Sequence, residues 1–548
     1  MTTPLFEPDS DITTGPLLAD APVEPVLDVD EIQGAVLPGF STSFQHLVGL
    51  RFPDASTLRA WLRGPHASVS TLAQVMTQRN LRRAALRARQ PRPQTPVMRC
   101  VALSVDALRM LTPDADQVND PAFKGGMAFR STLLGDPEDK EVDGHRSRWR
   151  FGGTPATTPH VLAVLAAEWS FDLDDAVKDL LAGSTSATVL FEQRGELLPG
   201  DIEHFGFRDG VSQVGVRGRL SQHERHFLTR RWLDPQLPLA RTHARPGQPL
   251  VWPGQFVFGY PGLHPHDALE PGPVISGGPA WTVNGSLLAL RRLRQDVAAF
   301  SAFLAAESVR LSACPGFTDV DADRLAAAMV GRWPDGSALV RNPTTADPAD
   351  AQDMLCTNAF EYARPTLEAR VCSDPLVAFE GLAAPAIGEL REVTGSAADA
   401  EGLACPAFAH IRKVNPRDLA TDKGGAIETL AMQMMRRGIT WGSAFTPGEP
   451  PDATDRGLLF MSYQTSLVRQ FELISTTWMN KHNAPEGNSG HDLLLGQVSD
   501  GQPRYAKFSR GDDSQMITAT DRWVIPTGGG YFLAPSRSAL ERFALPEQ

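Results

Sequence analysis

An aspartate between two glycines is the first feature of the sequence that could carry out chemistry. The segment GFRDGVSQ, residues 206–213, places Asp209 between a phenylalanine-arginine pair and Gly210. Asp-Gly is a strong turn signal, because aspartate hydrogen-bonds its own main chain and glycine adopts positive φ freely. The glycines would equally let backbone approach a ligand and hold a carboxylate beside it. The octapeptide by itself leaves both interpretations open.

A histidine followed by several cations is the second such feature. In CPAFAHIRKVNPRD, His410 precedes Arg412, Lys413 and Arg417. A single histidine that follows a run of small and apolar residues is more often a core residue than a ligand. The cations favour another interpretation, because a metal held by a porphyrin needs only one or two protein ligands together with basic groups for the propionates.

Two adjacent arginines form the third feature. In MMRRGITWG, Arg436 and Arg437 follow an apolar run and precede Gly438. One arginine of such a pair can face the interior, where it needs an anion or an acceptor-rich ligand. The alternative is a helix C-terminus, where arginine complements the dipole and glycine supplies the cap. The later segment DRGLLFMSYQTSLVRQFELISTTWMN fits either the lining of a flat apolar pocket or ordinary core.

Strand and helix patterns that must position these residues alternate along the chain. Residues 45–52 and 97–105 have the alternation of strands, and residues 55–88 predict a helix broken near Gly64-Pro65. PHVLAVLAAEWSFDLDDAVKDLLAG predicts a second long helix, and ATVLFEQRGE predicts a strand. Later strands are predicted at QFVFGY, SLLALRRL and GLLFMSYQ, with helices at RQDVAAFSAFLAAESVRL and SLVRQFELISTTWMN. Two mixed α+β halves follow, connected by the Arg-, His- and Pro-rich residues 218–250.

Length, charge and cysteine spacing exclude several classes of function. A chain of 548 residues is longer than one hydrophobic core usually supports, so two or more domains, or one duplicated domain, are expected. Its net charge of −12 argues against non-specific binding to nucleic acid or to an anionic membrane. The basic run RNLRRAALRARQPR is a local exception, which we interpret as a solvated helix face. Five widely spaced cysteines and an N-terminus without signal-peptide features predict a cytoplasmic protein.

Nine segments, in order, resemble the motifs of the dye-decolourising haem peroxidases, particularly the longer forms of that family. The resemblance runs from about residue 30 to the C-terminus, and several independent ordered matches make it specific. The segments are EIQGAVLPGF, AFKGGMAFRSTLLGD, GDIEHFGFRDGVSQ, WTVNGSLLALRRLRQDVAAF, VGRWPDGSALV, AHIRKVNPRD, RRGITWG, RGLLFMSYQ and PTGGGYFLAPS.

The resemblance implies an α+β fold of two ferredoxin-like domains, each an antiparallel sheet with helices, with haem in the second half. The boundaries we predict are a disordered N-terminal arm at 1–28, a first ferredoxin-like domain at 29–220 that carries GFRDG, and a second at 221–548 with the haem site. The connection before His410 is longer than the family pattern, so we predict an insertion at about 364–404.

For the distal side of the haem, the resemblance implies two catalytic residues. Asp209 matches the distal aspartate and Arg436 the distal arginine, with Arg437 as the alternative because the pair is adjacent. An ionised carboxylate can move the proton of peroxide from the iron-bound oxygen to the departing one. A fixed guanidinium stabilises the charge that develops on the departing oxygen.

The cofactor that the resemblance implies is one non-covalent haem b. His410 matches the proximal ligand of the haem iron, and Arg417 is a candidate partner of a propionate. Leu458 and Phe460 of GLLF resemble residues beside the distal face. A porphyrin would therefore be held by one imidazole, one basic group and an apolar strand.

The implied activity is reduction of hydrogen peroxide and oxidation of bulky aromatic or phenolic donors and dyes through a ferryl intermediate. The expected partners are hydrogen peroxide and aromatic small-molecule reductants, with no nucleic acid and no membrane. Trp441 or Tyr463 would relay electrons from large donors, unless both are ordinary core aromatics. Trp441 follows Thr440 where the family pattern has Pro-Tyr. Two other classes stay open: a haem-handling protein that binds haem or removes its iron, and a non-enzymatic scaffold.

Overall fold

The computed structural model describes residues 22–366, 368–372, 390–445 and 454–546. Its strands are β1 (Phe44–Arg51), β2 (Met98–Leu103), β3 (Val161–Ala167), β4 (Thr188–Glu196), β5 (Gly215–Val216), β6 (His243–Arg245), β7 (Gln248–Val251), β8 (Pro261–Leu263), β9 (Pro271–Val274), β10 (Ser286–Gln295), β11 (Ala369–Cys372), β12 (Leu390–Val393), β13 (Met435–Arg436), β14 (Ile439–Trp441), β15 (Gly457–Gln464), β16 (Arg504–Arg510), β17 (Asp513–Ala519) and β18 (Val524–Ala534).

The α-helices of these residues are short to medium in length, and along the chain most of them connect strands of the main sheet. Two π-helical segments, Leu467–Glu472 and Ile474–Met479, follow β15. The α-helices are α1 (Ala55–Leu62), α2 (Leu72–Arg87), α3 (Val105–Leu111), α4 (Pro121–Gly125), α5 (Ser170–Ala182), α6 (Val297–Ser312), α7 (Ala322–Val330), α8 (Pro348–Gln352), α9 (His410–Val414), α10 (Ala426–Ala431) and α11 (Arg537–Ala544).

One antiparallel sheet contains strands from both halves of the chain. Its order is β13-β15-β10-β18-β2-β3-β1-β4, and β14 also pairs with β15. In the first half, β1 lies between β3 and β4; in the second half, β10 lies between β15 and β18, with the short strands β13 and β14 both on the far side of β15. If β13 and β14 are counted as one interrupted strand, both halves have the strand order of a ferredoxin-like unit. The predicted α+β class with antiparallel sheets and helices is confirmed. The predicted domain boundaries at 29–220 and 221–548 stay a prediction.

Two parts of the predicted domain scheme, the N-terminal arm and the insertion, lie partly outside the described residues. Residues 1–21 of the predicted arm are outside them, whereas residues 22–28 are held against the fold. There the buried Glu24 carboxylate pairs with Arg231 at 2.5 Å and accepts the Gly218 N–H at 2.7 Å. The predicted insertion at 364–404 includes the antiparallel pair of β11 and β12. No helix of the described residues has the length and apolar character needed to cross a membrane.

Two of the predicted elements are wrong. PHVLAVLAAE is not helical, because Val161–Ala167 forms β3 and the helix α5 begins only at Ser170. All seven residues of β3 are buried, since β3 lies between β1 and β2 with both faces covered. Such a strand lacks alternation and cannot be distinguished from a buried helix by periodicity. QFVFGY forms no strand either; residues 256–258 are buried in turns.

The elements predicted around the candidate site are largely as expected. SLLALRRL lies in β10, GLLFMSYQ is β15, and β10 pairs with β15 and β18 on its two sides. SLVRQFELISTTWMN is helical, although of the π type, which is uncommon and often found at functional sites. β10, β15 and the π-helical segments together supply one side of the cavity described below.

Candidate active site

A cavity of about 780 Å³ brings together all the residues that the sequence assigned to the site. A volume of this order suits a bound small molecule or cofactor. Residues from both halves of the chain line it, which no local sequence pattern could show. The assigned residues in its lining are Asp209, His410, Arg417, Arg436, Leu458 and Phe460.

The loop that carries Asp209 is folded around a carboxylate, that of Glu203. Phe205 and Phe207 each donate a backbone N–H to this carboxylate at 3.0 Å, and the Gln295 side chain donates to it at 2.6 Å. Burial raises the pKa of Glu203 to about 7, although these hydrogen bonds act in the opposite direction. Sequence reasoning missed Glu203, whose role depends on backbone that folds back onto it.

The segment GFRDG is a turn, and the turn places Asp209 in the cavity lining. Gly206 and Gly210 have φ of 94° and 70°, values that favour glycine. The Asp209 N–H donates to the Asp201 carbonyl at 2.8 Å, and Asp209 Oδ1 accepts the Gly210 N–H at 2.6 Å. Oδ2 of the exposed Asp209 side chain is therefore the oxygen best placed to exchange a proton with a small ligand.

The two adjacent arginines have different environments. Arg436 ends β13, is exposed, and donates through its guanidinium to the Ser212 carbonyl, three residues after Asp209. Arg437 donates to the Ala35 and Val36 carbonyls at 3.1 and 2.9 Å, and burial lowers its pKa to about 10. The alternative of a helix C-terminus is wrong, because the pair connects two short strands. Arg436 is the arginine whose guanidinium lies beside the Asp209 loop.

A buried carboxylate supports His410 at the start of α9. The Nδ1 atom of His410 lies 2.7 Å from Oδ2 of the fully buried Asp492, whose Oδ1 accepts the Leu494 and Leu495 N–H groups at 3.0 and 2.9 Å. Burial opposes ionisation of Asp492, but its interaction with His410 and these hydrogen bonds hold its pKa below the usual value. A carboxylate at Nδ1 makes that nitrogen the donor and leaves the Nε2 lone pair available to the cavity.

The cations after His410 do not act as one group. Arg412 is fully buried and donates to the Glu486 carboxylate at 2.9 Å from two of its nitrogens, and Lys413 is buried among backbone carbonyls. The interpretation of these two as basic neighbours of a ligand is therefore wrong. Arg417 does line the cavity, with its guanidinium carbon 3.6 Å from the centre of the Phe360 ring.

Apolar side chains from β15 and the helix that follows it form the rest of this part of the lining. Leu458 and Phe460 share one face of β15, because residues two apart in a strand point to the same side. The π-helical segments add Phe471, Ile474 and Met479. A surface of this composition suits a flat apolar ring system.

The two aromatic residues predicted as electron relays are both buried. Trp441 is 2% exposed, and the Arg292 guanidinium lies 3.7 Å from the centre of its ring. Tyr463 is 1% exposed, lines the cavity and has its hydroxyl 3.5 Å from Sγ of Cys100. A large donor could not touch either ring directly, so a relay role stays a prediction.

Comparisons with known proteins find relatives of one named kind. The family model described as the DyP dimeric alpha+beta barrel domain matches residues 31–189. The dye-decolorizing peroxidase AauDyP1 of Auricularia auricula-judae is 28% identical over 94% of this chain and 86% of its own length. The dye-decolorizing peroxidase msp1 of Mycetinis scorodonius is 26% identical over 94% of this chain and 87% of its own length.

A solved structure extends the likeness to three dimensions across nearly the whole chain. An ancestral D-type dye-decolorizing peroxidase has a TM-score of 0.72 at 26% identity and covers 95% of this chain and 100% of its own. The resemblance to the dye-decolourising peroxidases that the sequence predicts is confirmed over nearly the whole chain. These relatives are named as peroxidases, and none of the names favours the haem-handling alternative.

The dye-decolourising peroxidases are haem enzymes, and the cavity residues of this chain fit a haem. His410 offers one nitrogen as an iron ligand, and the β15 side of the cavity is apolar. Arg245, in β6, lines the cavity with its buried Nε atom without a hydrogen-bond partner among the described residues. Arg417 and Arg245 are therefore candidate cations for the anionic propionates. Sequence reasoning had treated residues 218–250 only as a connection and missed Arg245.

Proposed function

We propose that the protein is a haem peroxidase that reduces hydrogen peroxide and oxidises aromatic or phenolic donors, including dyes. The observation that carries the proposal is the composition of one cavity lining. It combines His410, backed by Asp492, with Asp209 and Arg436. The names of the two relatives described above, both dye-decolorizing peroxidases, support the same activity.

Bound haem would supply the iron that His410 ligates and the redox chemistry of peroxide cleavage. Asp209 Oδ2 would accept a proton from one oxygen of hydrogen peroxide and return it to the other oxygen, which would leave as water. The Arg436 guanidinium, fixed by the Ser212 carbonyl, stabilises negative charge on the departing oxygen. Asp492 keeps the Nδ1 proton of His410 in place, so Nε2 would be the nitrogen that holds the iron.

We propose one non-covalent haem b as the cofactor, held at His410 with Arg417 and Arg245 toward its propionates. Leu458 and Phe460 would contact the porphyrin ring beside Asp209. We also propose the two-domain division at residues 220 and 221, which the repeated strand order supports. The spacing of the cysteines supports a further proposal, that the protein works in the cytoplasm.

The visible absorption spectrum of the purified protein, titrated with haem and then mixed with one equivalent of hydrogen peroxide, tests this function. We expect one haem per chain, a histidine-ligated ferric spectrum, and a spectral change within seconds that an added phenol reverses. Slow bleaching of the haem without oxidation of the phenol would instead support haem handling. Failure to bind haem would contradict the proposal and support the scaffold interpretation.

A further inference from the structure

A buried asparagine, Asn358, hydrogen-bonds the loop that carries Asp209 although it is not part of the cavity lining. The residue is 2% exposed. Its Nδ2 donates to the Val211 carbonyl at 2.9 Å, and its Oδ1 accepts the Arg332 guanidinium at 2.7 Å. These two atoms cannot exchange places, because a carbonyl only accepts hydrogen bonds and a guanidinium only donates them. The amide therefore has one orientation, in which its NH₂ group binds the loop.

The main chain of the same residue contacts the segments of both candidate propionate cations. The Asn358 carbonyl accepts an N–H of the Arg417 guanidinium at 3.1 Å. Gly247 lies two residues after Arg245, in the turn between β6 and β7, and has a φ of 66°. A Cβ atom at Gly247 would lie only 1.5 Å from the Asn358 carbonyl oxygen. A side chain at this position would therefore push the turn of Arg245 away from Asn358.

The loop of Asp209, residues 206–213, is held by side chains of other segments. Its last three carbonyls each accept one such hydrogen bond: Asn358 donates to Val211, Arg436 to Ser212 and Gln248 to Gln213. Arg436 and Gln248 line the cavity, whereas Asn358 is buried behind it. Asn358 is thus the donor whose position depends on the packed fold rather than on the contents of the cavity.

We propose that Asn358 is a positioning residue, which fixes Asp209 for peroxide reduction and links its loop to the propionate cations. Haem bound at Arg417 and Arg245 would restrain the main chain of Asn358. The side chain of this residue would transmit the restraint to the Val211 carbonyl. Because Asp209 must lie within hydrogen-bond reach of peroxide to move its proton, binding of the cofactor would complete the distal site. The inference rests on the proposed function, which gives Asp209 its role.

Hydrogen–deuterium exchange of the backbone amides of residues 206–213, measured with and without haem, tests the link without turnover. In the wild type, bound haem should slow this exchange about tenfold, as the strengthening of one hydrogen bond implies. An equal rate with and without haem would overturn the proposal. This measurement needs no variant, so the proposal remains falsifiable even where a substitution at Asn358 prevents folding.

Two variants show whether haem protects the loop through Asn358 or by covering it. Asn358→Asp keeps the acceptor for Arg332 but cannot donate to Val211, and Asn358→Leu is uncharged and of similar volume. Both should bind haem, because the main-chain carbonyl that holds Arg417 is unchanged, but the slowing of loop exchange by haem should be lost. Retained slowing in both variants would overturn the proposal. Loss in Asn358→Asp alone would do so too, since it would assign the effect to the added charge.

Gln78→Glu is the matched control for these variants. Gln78 is a buried amide whose Nε2 donates to the Pro96 carbonyl at 2.9 Å, and it is not part of the cavity lining. The change removes the same kind of donor as Asn358→Asp. Exchange of residues 206–213 should therefore respond to haem as in the wild type, and a lost response would overturn the assignment to Asn358.

Stopped-flow kinetics provide a second measurement, which a merely structural role would not divide into two steps. In both Asn358 variants the rate of peroxide reduction should fall about tenfold, whereas the oxidation of a phenol that follows should keep its wild-type rate. Equal loss in the two steps, or a wild-type rate of peroxide reduction, would overturn the proposal. Haem-dependent protection of the loop in a wild-type protein that does not reduce peroxide would support the link and contradict the peroxidase function alone.

Discussion

The proximal group, His410 with Asp492, and the distal group, Asp209 with Arg436, are held in different ways. Asp492 is fully buried, and its two oxygens are occupied by the imidazole and by two backbone N–H groups. Asp209 and Arg436 are both exposed in the cavity lining and are held mainly by backbone atoms of a loop. A metal ligand must keep one geometry, whereas groups that exchange protons with an entering peroxide must remain accessible. The comparison therefore predicts that the proximal group retains the cofactor and that the distal group carries out catalysis.

The largest effect should come from the distal group. Asp209→Asn removes the proton carrier and should slow peroxide reduction by about 10²–10⁴-fold. Arg436→Leu removes the charge on the departing oxygen and should cost about 10²–10³-fold. Both variants should retain haem, which absorption spectra and stopped-flow peroxide reduction would show together. The exposed Arg469→Leu is the control, and wild-type rates in both distal variants would contradict the assignment.

Removal of the proximal histidine should have the opposite effect, because it should reduce the retention of haem. His410→Ala loses the iron ligand, so we expect haem affinity to fall by about a hundredfold or more. Haem titration followed by gel filtration measures this loss. His482→Ala, an exposed histidine of the same half that does not line the cavity, should bind haem normally. Full retention of haem by His410→Ala would place the ligand elsewhere.

Asp492→Asn sharpens the comparison, because it changes the proximal group without removing the ligand. The amide cannot hold the imidazole in one tautomer as a carboxylate does, so haem affinity or activity should fall by about 10–100-fold. The ferric absorption spectrum should shift as well, which a purely structural role would not produce. Asp512→Asn, an exposed acid of the same half, serves as the control. An unchanged spectrum would argue that the pairing has no influence on the ligand.

A smaller effect is expected outside both groups, at Trp441. If this buried indole carries electrons from large donors, Trp441→Phe should slow oxidation of a large dye several-fold and leave peroxide reduction unchanged. Parallel assays with a large dye and a small phenol separate the two steps. Trp478→Phe, another fully buried tryptophan, controls for loss of packing. Equal loss in both assays would end the relay hypothesis.

The smallest effect concerns the loop that carries Asp209. The pKa of Glu203 is raised to about 7, whereas a glutamate in the unfolded chain has a pKa of about 4.3. Between these values the folded protein holds a proton that the unfolded chain has lost, so this group makes the free energy of unfolding fall as pH rises. Glu203→Gln lacks that decline. Urea unfolding at pH 5, 6, 7 and 8 should therefore show that the free energy of unfolding of Glu203→Gln increases relative to that of the wild type as pH rises.

Exposed Glu224→Gln is the control for that series. A stability difference between wild type and Glu203→Gln that is independent of pH would show that Glu203 does not titrate in this range. Loss of peroxide reduction in Glu203→Gln at retained stability would show that the loop also positions Asp209.

Local sequence was enough to predict most elements near the site. The alternation of β1 and β2, the length of α6 and the apolar run of β15 all had clear patterns. β3 was predicted wrongly because burial on both faces removes the alternation that identifies a strand. The α2 arginines were interpreted as solvated, since periodicity does not show what packs against a helix; Arg79 is in fact half-buried.

By itself, the sequence determined the ordered motifs, the turn around Asp209 and the choice of His410 as the candidate iron ligand. These are properties of residue type and short spacing, which local backbone preferences decide. Only the tertiary structure decided that Asp492 lies behind His410, that Arg436 and not Arg437 faces the Asp209 loop, and that Arg79 and Arg245 reach the cavity. Each of these depends on contacts between segments far apart in the chain, and such contacts are selected by packing of the whole fold rather than by neighbouring residues.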